Sequence, residues 1–148
     1  MEKPILVLNG PNLNLLGQRE PDIYGHDTLA DIEKAVTTVA SARGHTIDFR
    51  QSNLEGELVD WVQWGRENAC GLIVNAGAYS HTSIALLDAL NAITVPIVEV
   101  HLSNIFRRED FRNHSYVSLA AGGVICGLGA KGYELAVLAL ADQLATVE

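Results

Sequence analysis

Cysteine is scarce in this chain. Its two cysteines, Cys70 and Cys126, stand in apolar stretches and form no Cys-x-x-Cys pair. That excludes a disulfide framework and a thiolate metal site, and two buried thiols in a reducing compartment are the expectation. Positive charge is also in short supply. Ten Lys and Arg stand against eighteen Asp and Glu, a net charge of −8 with no basic stripe. A general nucleic-acid binder is thereby excluded, because nothing is available to meet a row of phosphates. A small anionic substrate is not, since seven of the ten cations are arginine and four of them, Arg19, Arg107, Arg108 and Arg112, fall in loop-like segments. Long apolar runs are missing too: none reaches the about 18 residues that a membrane helix needs. Without a charged-then-apolar leader at the N-terminus, the expected location is cytoplasmic, and Asn113-His-Ser115 is then a chance match to a glycosylation sequon.

What is present alternates between strand and helix with short breaks, the pattern of a doubly wound parallel sheet in one domain spanning residues 1–148. The apolar run at 5–8 predicts the first strand. Leu29, Ile32, Val36, Val39 and Ala40 lay a 3.6-residue stripe on a helix that begins near Thr28 and stops at Gly44. A short alternating strand at 46–50 belongs at an edge. Asn53 is expected to cap a second helix carrying Leu58, Trp61, Val62 and Trp64. A continuous apolar strand at 71–75 reads as covered on both faces; a fourth strand is expected at 95–102, with a helix at 81–91 between them. A further strand falls within 116–126, and a largely buried helix at 129–146 ends the chain. Gly127-Leu-Gly-Ala-Lys-Gly132 has the spacing of a dinucleotide-binding loop. Only sixteen residues remain after Gly132, too few for the strand and acidic residue which that fold requires, so tight packing of a turn is expected.

One connection is out of proportion. Residues 9–27 link the first strand to the first helix with 19 residues, where such loops run about 2–6. The loop holds carboxamides and, on either side of Pro21, Arg19 and Tyr24. An arginine close to a tyrosine favours phenolate, a strong base; the plainer reading is a packed ring beside a solvated guanidinium. Sites in such sheets lie at the carboxyl ends of strands, which brings in three more groups. Glu99 and His101 are i, i+2 on one strand and share a face. A carboxylate in an apolar strand demands a partner, and the pair would fix the imidazole and favour its acid form; a satisfied core ion pair is the alternative. Asn75 to His81 leave the third strand with amides and hydroxyls that could receive an anion, and Asp88 lies near the face of His81. Metal binding by His81, Asp88, Glu99 and His101 has no dense ligand motif behind it. Arg107, Arg108 and Arg112 are expected on one irregular or short helical segment, as a carboxylate clamp or as a solvated surface, and the i, i+4 spacing of Arg108 and Arg112 leaves room for one of them in a pocket.

The blocks NGPNLNLLGQREPDIYG (9–25), NAGAYSHTSIALLDAL (75–90), VEVHLSNIFRREDFRNHSY (98–116) and the glycine-rich turn before the last helix resemble the type II 3-dehydroquinate dehydratases, in order and at that family's spacing. The resemblance implies a flavodoxin-like three-layer α/β sandwich with a five-stranded parallel sheet. It implies anti-elimination of water from 3-dehydroquinate through an enolate in the shikimate pathway. Tyr24 would be the base, Arg19 the group that favours its phenolate, and Asn12 the holder of a water that stabilises the enolate. His101, oriented by Glu99, would be the acid. Asn75, His81, the backbone at Leu102 and Ser103, and Arg112 would bind substrate. Asp88 would reach a neighbouring subunit's site, in trimers assembled into a homododecamer. No cofactor, metal or Schiff-base lysine is implied, and none of Lys3, Lys34 and Lys131 suits a pocket. Ala76, Leu87 and Phe106 depart from the family's usual proline, arginine and histidine. The alternative is a non-enzymatic or redox flavodoxin-like module. A flavin binder would carry hydroxyls in the first loop, which here reads Pro-Asn-Leu-Asn-Leu-Leu, and a phospho-receiver would carry aspartate where Asn75 stands.

Overall fold

The computed structural model of the protein describes residues 2–147. Its strands are β1 Ile5–Asn9, β2 Ile47–Gln51, β3 Gly71–Asn75, β4 Ile97–His101 and β5 Gly123–Cys126. All pair in parallel, in the order β2-β1-β3-β4-β5. This is the doubly wound order in which ligands bind where the winding reverses, here between β1 and β3. β1, β3 and β4 are buried along their whole length, because helices cover both faces. The α-helices are α1 Pro21–Tyr24, α2 Leu29–Ala42, α3 Glu55–Asn68, α4 Ile84–Asn91 and α5 Lys131–Val147.

Side-chain alternation splits the core in two. Ile5, Val7, Ile73, Val98 and Val100 face α2 and α5, where Ile32, Val36, Tyr133 and Val137 close over them. Leu6, Leu8, Leu72, Val74 and Ile97 face α3 and α4, against Leu58, Val62, Leu86 and Leu90. The result is the three-layer flavodoxin-like α/β sandwich. Register aligns Asn9 with Asn75 and with Gln51, and His101 with Cys126, so the carboxyl ends make one rim. At that rim Gly10 donates to the Asn75 carbonyl at 2.8 Å. A Cβ on Gly10 would sit 2.2 Å from the Ala76 carbonyl oxygen, so only glycine lets the two chains pass.

Several elements differ from the sequence expectation, each for a local reason. The 9–27 connection is built rather than structureless: a 3-10 turn at Leu13–Leu15 buries Leu13 and Leu16 in the core, and α1 follows with proline in its first turn. Asn53 does not cap α3. Its side-chain oxygen accepts from the Asn12 amide at 3.0 Å and from Gln51 Nε2 at 3.2 Å, tying the long loop to the end of β2. The α3 turn is closed instead by Ser52, whose hydroxyl accepts from Leu54 N at 2.9 Å. The helix expected from His81 starts three residues later, because Ser83 caps it through Leu86 N at 2.9 Å; residues Gly77–His81 are a 3-10 turn. On α5, Tyr133, Ala136, Val137, Leu140 and Ala141 are buried, while Leu135, Leu138 and Ala139 are half-buried, so less of this helix is covered than its composition predicts. Cys70 and Cys126 are unpaired and half-buried rather than fully buried.

Candidate active site

The carboxyl rim surrounds a partly open cavity lined by Pro11, Leu13, Arg19, Tyr24, Asn75, Gly77, His81, His101, Leu102, Ser103, Ile105, Arg108 and Arg112. The long loop supplies Arg19 and Tyr24. Its backbone is strained there: Asn12 (φ 69°) and Glu20 (φ 39°) are the positive-φ non-glycine residues among the described residues, and both lie in this loop. Such conformations persist only where surrounding contacts enforce them, and they cluster at working sites. A capping box then takes over, with Thr28 and Asp31 closing it reciprocally at the start of α2. Arg19 Cζ stands 4.8 Å from the Tyr24 ring centroid and Arg108 Cζ 5.1 Å from it, so two guanidiniums lie against one phenol.

Across the sheet, β4 delivers the second pair. Glu99 is fully buried and His101 nearly so, and His101 Nε2 donates to Glu99 Oε2. Two more donors converge on the carboxylate: the Ser115 hydroxyl at 2.6 Å and the Ser118 hydroxyl. Burial alone pushes the Glu99 carboxyl up; the hydrogen bonds from His101, Ser115 and Ser118, with the charge on His101, outweigh it and hold the group below the usual carboxylate range. With Nε2 committed to Glu99, Nδ1 is the His101 nitrogen free to exchange a proton.

His81 stacks on His101, ring centroids 6.2 Å apart, yet is prepared differently. Burial lowers its pKa, helped by the charges of His101 and Arg112 against the opposing pull of the His114 carbonyl and Glu99. That carbonyl accepts from His81 Nδ1 at 2.8 Å. His81 is therefore held neutral with Nε2 as an acceptor, suited to a hydroxyl rather than to proton donation.

Asn75 is fixed from both ends. Its Nδ2 donates to the Tyr133 hydroxyl at 2.7 Å, and its Oδ1 accepts from Gly77 N at 3.2 Å. The Tyr133 hydroxyl donates to Asn9 Oδ1 at 2.7 Å, and Asn9 Nδ2 donates to the Arg50 carbonyl at 3.0 Å. Burial pushes the Tyr133 phenol up, which keeps it a neutral donor in this ladder. The turn expected to be tightly packed holds the loop after β4: Gly127 N donates to the His101 carbonyl at 3.3 Å and Gly129 N to the Leu102 carbonyl at 3.0 Å.

The fold thus brings Arg19, Tyr24, Asn75, His81, His101, Leu102, Ser103 and Arg112 around one cavity, with Glu99 directly behind His101. Asn12 is exposed on the rim between the cavity-lining Pro11 and Leu13, and does not itself line the space. Asp88 is exposed on α4 and does not line it either. One expectation is corrected: both Arg108 and Arg112 reach the cavity. They are not on one helix. Two 3-10 turns, Ile105–Arg107 and Asp110–Arg112, are separated by an extended Arg108 (φ −109°, ψ −161°), so the i, i+4 geometry does not apply. Glu109 anchors the pair, at 3.2 Å from Arg112 Nε and 3.8 Å from Arg108 Nε. Ser115, Ser118 and Tyr133 carried no sequence signal, since their partners lie 16 to 124 positions away. Among the described residues no three His, Cys, Asp or Glu side chains gather as a metal site would require.

The family described as dehydroquinase class II matches residues 3–141. The chain is 62% identical over 135 residues to a 3-dehydroquinate dehydratase of Streptomyces coelicolor, covering 90% of this chain and 86% of that protein. It is 60% identical over 141 residues to a 3-dehydroquinate dehydratase of Phenylobacterium zucineum, covering 95% and 97%. Among solved structures, the type II dehydroquinase from Propionibacterium acnes superposes with a TM-score of 0.91 at 44% identity, over 96% of this chain and 98% of that one.

Proposed function

The chain belongs to the dehydroquinase class II family and is a hydro-lyase acting on 3-dehydroquinate, and from that premise we propose how its residues divide the reaction. Tyr24, as phenolate, removes a proton from the carbon beside the substrate carbonyl (C2). The electron pair moves onto the carbonyl oxygen as an enolate. Its collapse expels the C1 hydroxyl, which takes a proton from His101 Nδ1 and leaves as water, so that 3-dehydroshikimate remains. A proton passing from Tyr24 back to His101 resets the site. The single observation that carries this reading is one cavity lined by both Tyr24, under two guanidiniums, and His101, backed by a buried carboxylate.

Arg19, 4.8 Å from the centre of the Tyr24 ring, sets a positive charge beside the base. Asn12, next to the cavity wall, holds a water against the enolate oxygen. Neutral His81 and the fixed Asn75 accept and donate to substrate hydroxyls. Arg112 and the backbone at Leu102 and Ser103 receive the carboxylate, by the fork geometry and the amide donors that anions require. Arg108 joins this set, as its place against Tyr24 supports. The exposed position of Asp88, outside its own cavity, supports a role at a neighbouring copy's site within trimers of a homododecamer. Sedimentation of the purified protein at a monomeric mass would refute that assembly. The activity itself is tested by mixing the protein with 3-dehydroquinate and following the ultraviolet absorbance of the conjugated product. The absorbance is expected to rise, and no rise at high enzyme concentration would overturn the reading.

A further inference from the structure

His101 can act as an acid only while it keeps its proton, and its partner threatens that. Glu99 is completely buried, and a buried carboxylate alone with an imidazolium tends to take the proton and neutralise the pair. The neutral pair is useless for the reaction: the imidazole would then present a neutral Nδ1–H to the leaving hydroxyl, a far weaker acid. The proton stays on the ring only if other donors stabilise the carboxylate anion.

Those donors are Ser115 and Ser118, both outside the cavity lining. Ser115 Oγ lies 2.6 Å from Glu99 Oε2, the oxygen that also accepts from His101. Ser118 Oγ donates to the other oxygen, Oε1. Both carboxylate oxygens are thus engaged, which fixes the plane of the group and the direction of the bond to Nε2. The segment bearing the serines is itself anchored. Tyr116 N donates to the Ser80 carbonyl at 2.7 Å, Val117 is buried, and the His114 carbonyl meets His81 Nδ1 at 2.8 Å. One short stretch, 114–118, therefore bonds His81 directly and His101 through Glu99.

We propose that Ser115 and Ser118 are positioning residues for the dehydration, which hold Glu99 as an oriented anion so that His101 carries the proton it must donate. The inference rests on the reading of His101 as the acid. Neither hydroxyl lines the cavity, so their loss acts on kcat and leaves substrate binding alone.

The test is the kinetics of Ser115→Ala, Ser118→Ala and the double variant with 3-dehydroquinate. A hydrogen bond to a charged group is worth about one power of ten in rate if it is needed in the transition state. The expected result is therefore a fall in kcat of roughly 10-fold for each single variant, with KM changed by less than about 2-fold. Ser118→Thr, which keeps the hydroxyl on a side chain near the surface, is expected to retain kcat and guards against loss of fold. In a Glu99→Gln background the alanine substitutions are expected to cost nothing further, because the anion they serve is gone. An equal cost in both backgrounds, a rise in KM at constant kcat, or full kcat in the double variant overturns the proposal. His101→Ala separates this from the underlying reading: near-normal turnover in that variant removes the acid itself, whereas an inactive His101→Ala beside fully active serine variants removes only the role of the serines.

Discussion

At the scale of the residue, the site works by giving like groups unlike surroundings. Two histidines stack 6.2 Å apart, yet one bonds a carboxylate and the other a carbonyl. This has a measurable consequence for stability. Burial depresses the His81 pKa in the folded protein, while the unfolded chain takes up that proton near pH 6.5. Below about pH 6.5 the unfolded state thus binds the extra proton, and the contribution of His81, complete above that value, is lost as pH falls through the folded one. Glu99, held below its ordinary value, adds a similar loss at more acidic pH. Urea midpoints followed from about pH 7 to about pH 5.5 are expected to decline in the wild type and to decline less in His81→Asn, whose amide keeps a donor for the His114 carbonyl. For catalysis, Tyr24→Phe is expected to lower kcat by roughly 10³-fold, within the range general bases supply. Titration calorimetry should show that the variant still binds 3-dehydroquinate. Near wild-type kcat would remove Tyr24 as the base.

At the scale of the element, the decisive parts are the ends of strands and the turns beyond them. The periodic helices and apolar strands were legible in the sequence, because burial of one face or of both leaves a local pattern. The caps were less so. Asn53 has the right chemistry for a helix cap, but the Asn12 amide and Gln51 compete for its oxygen and win. Arg108 and Arg112 look like helical neighbours, but the extended residue between two 3-10 turns turns both inward. Such outcomes depend on the Asn12 amide, 41 residues away, in the first case and on the extended backbone of Arg108 in the second. At the β1–β3 rim the sequence shows a glycine without its reason. Gly10→Ala would press a Cβ to within 2.2 Å of the Ala76 carbonyl oxygen, forcing the strand ends that carry Asn9 and Asn75 apart. The expected cost is about 3 kcal/mol, at the upper end for overpacking, read as a lowered urea midpoint.

At the scale of the whole molecule, a single hydrogen-bonded ladder runs from the edge strand to the cavity: Arg50 carbonyl, Asn9, Tyr133, Asn75, Gly77. It joins β2, β1, α5 and β3 through groups that are buried together, where an unpaired polar atom is costly. Tyr133→Phe deletes the central hydroxyl and leaves Asn9 Oδ1 and an Asn75 Nδ2 proton without partners. The expected loss is about 1–3 kcal/mol of stability for each orphaned group. KM should also rise, since Asn75 loses the bond that aims it. Unchanged denaturation and unchanged KM would mean that the ladder is dispensable.

The sequence by itself determined the alternation of strand and helix, the covered strands, the edge position of β2, and the unusual loop carrying Arg19 and Tyr24. These are consequences of local periodicity and of residue chemistry at short range. The tertiary structure alone decided which polar groups meet. It brought Ser115 and Ser118 onto Glu99, set Tyr133 between two asparagines, turned a second arginine onto Tyr24, and left Asp88 outside its own cavity. The reason is physical: burial is nearly non-directional and leaves its pattern along the chain, whereas a hydrogen bond between residues 124 positions apart exists only once the fold has set the distance.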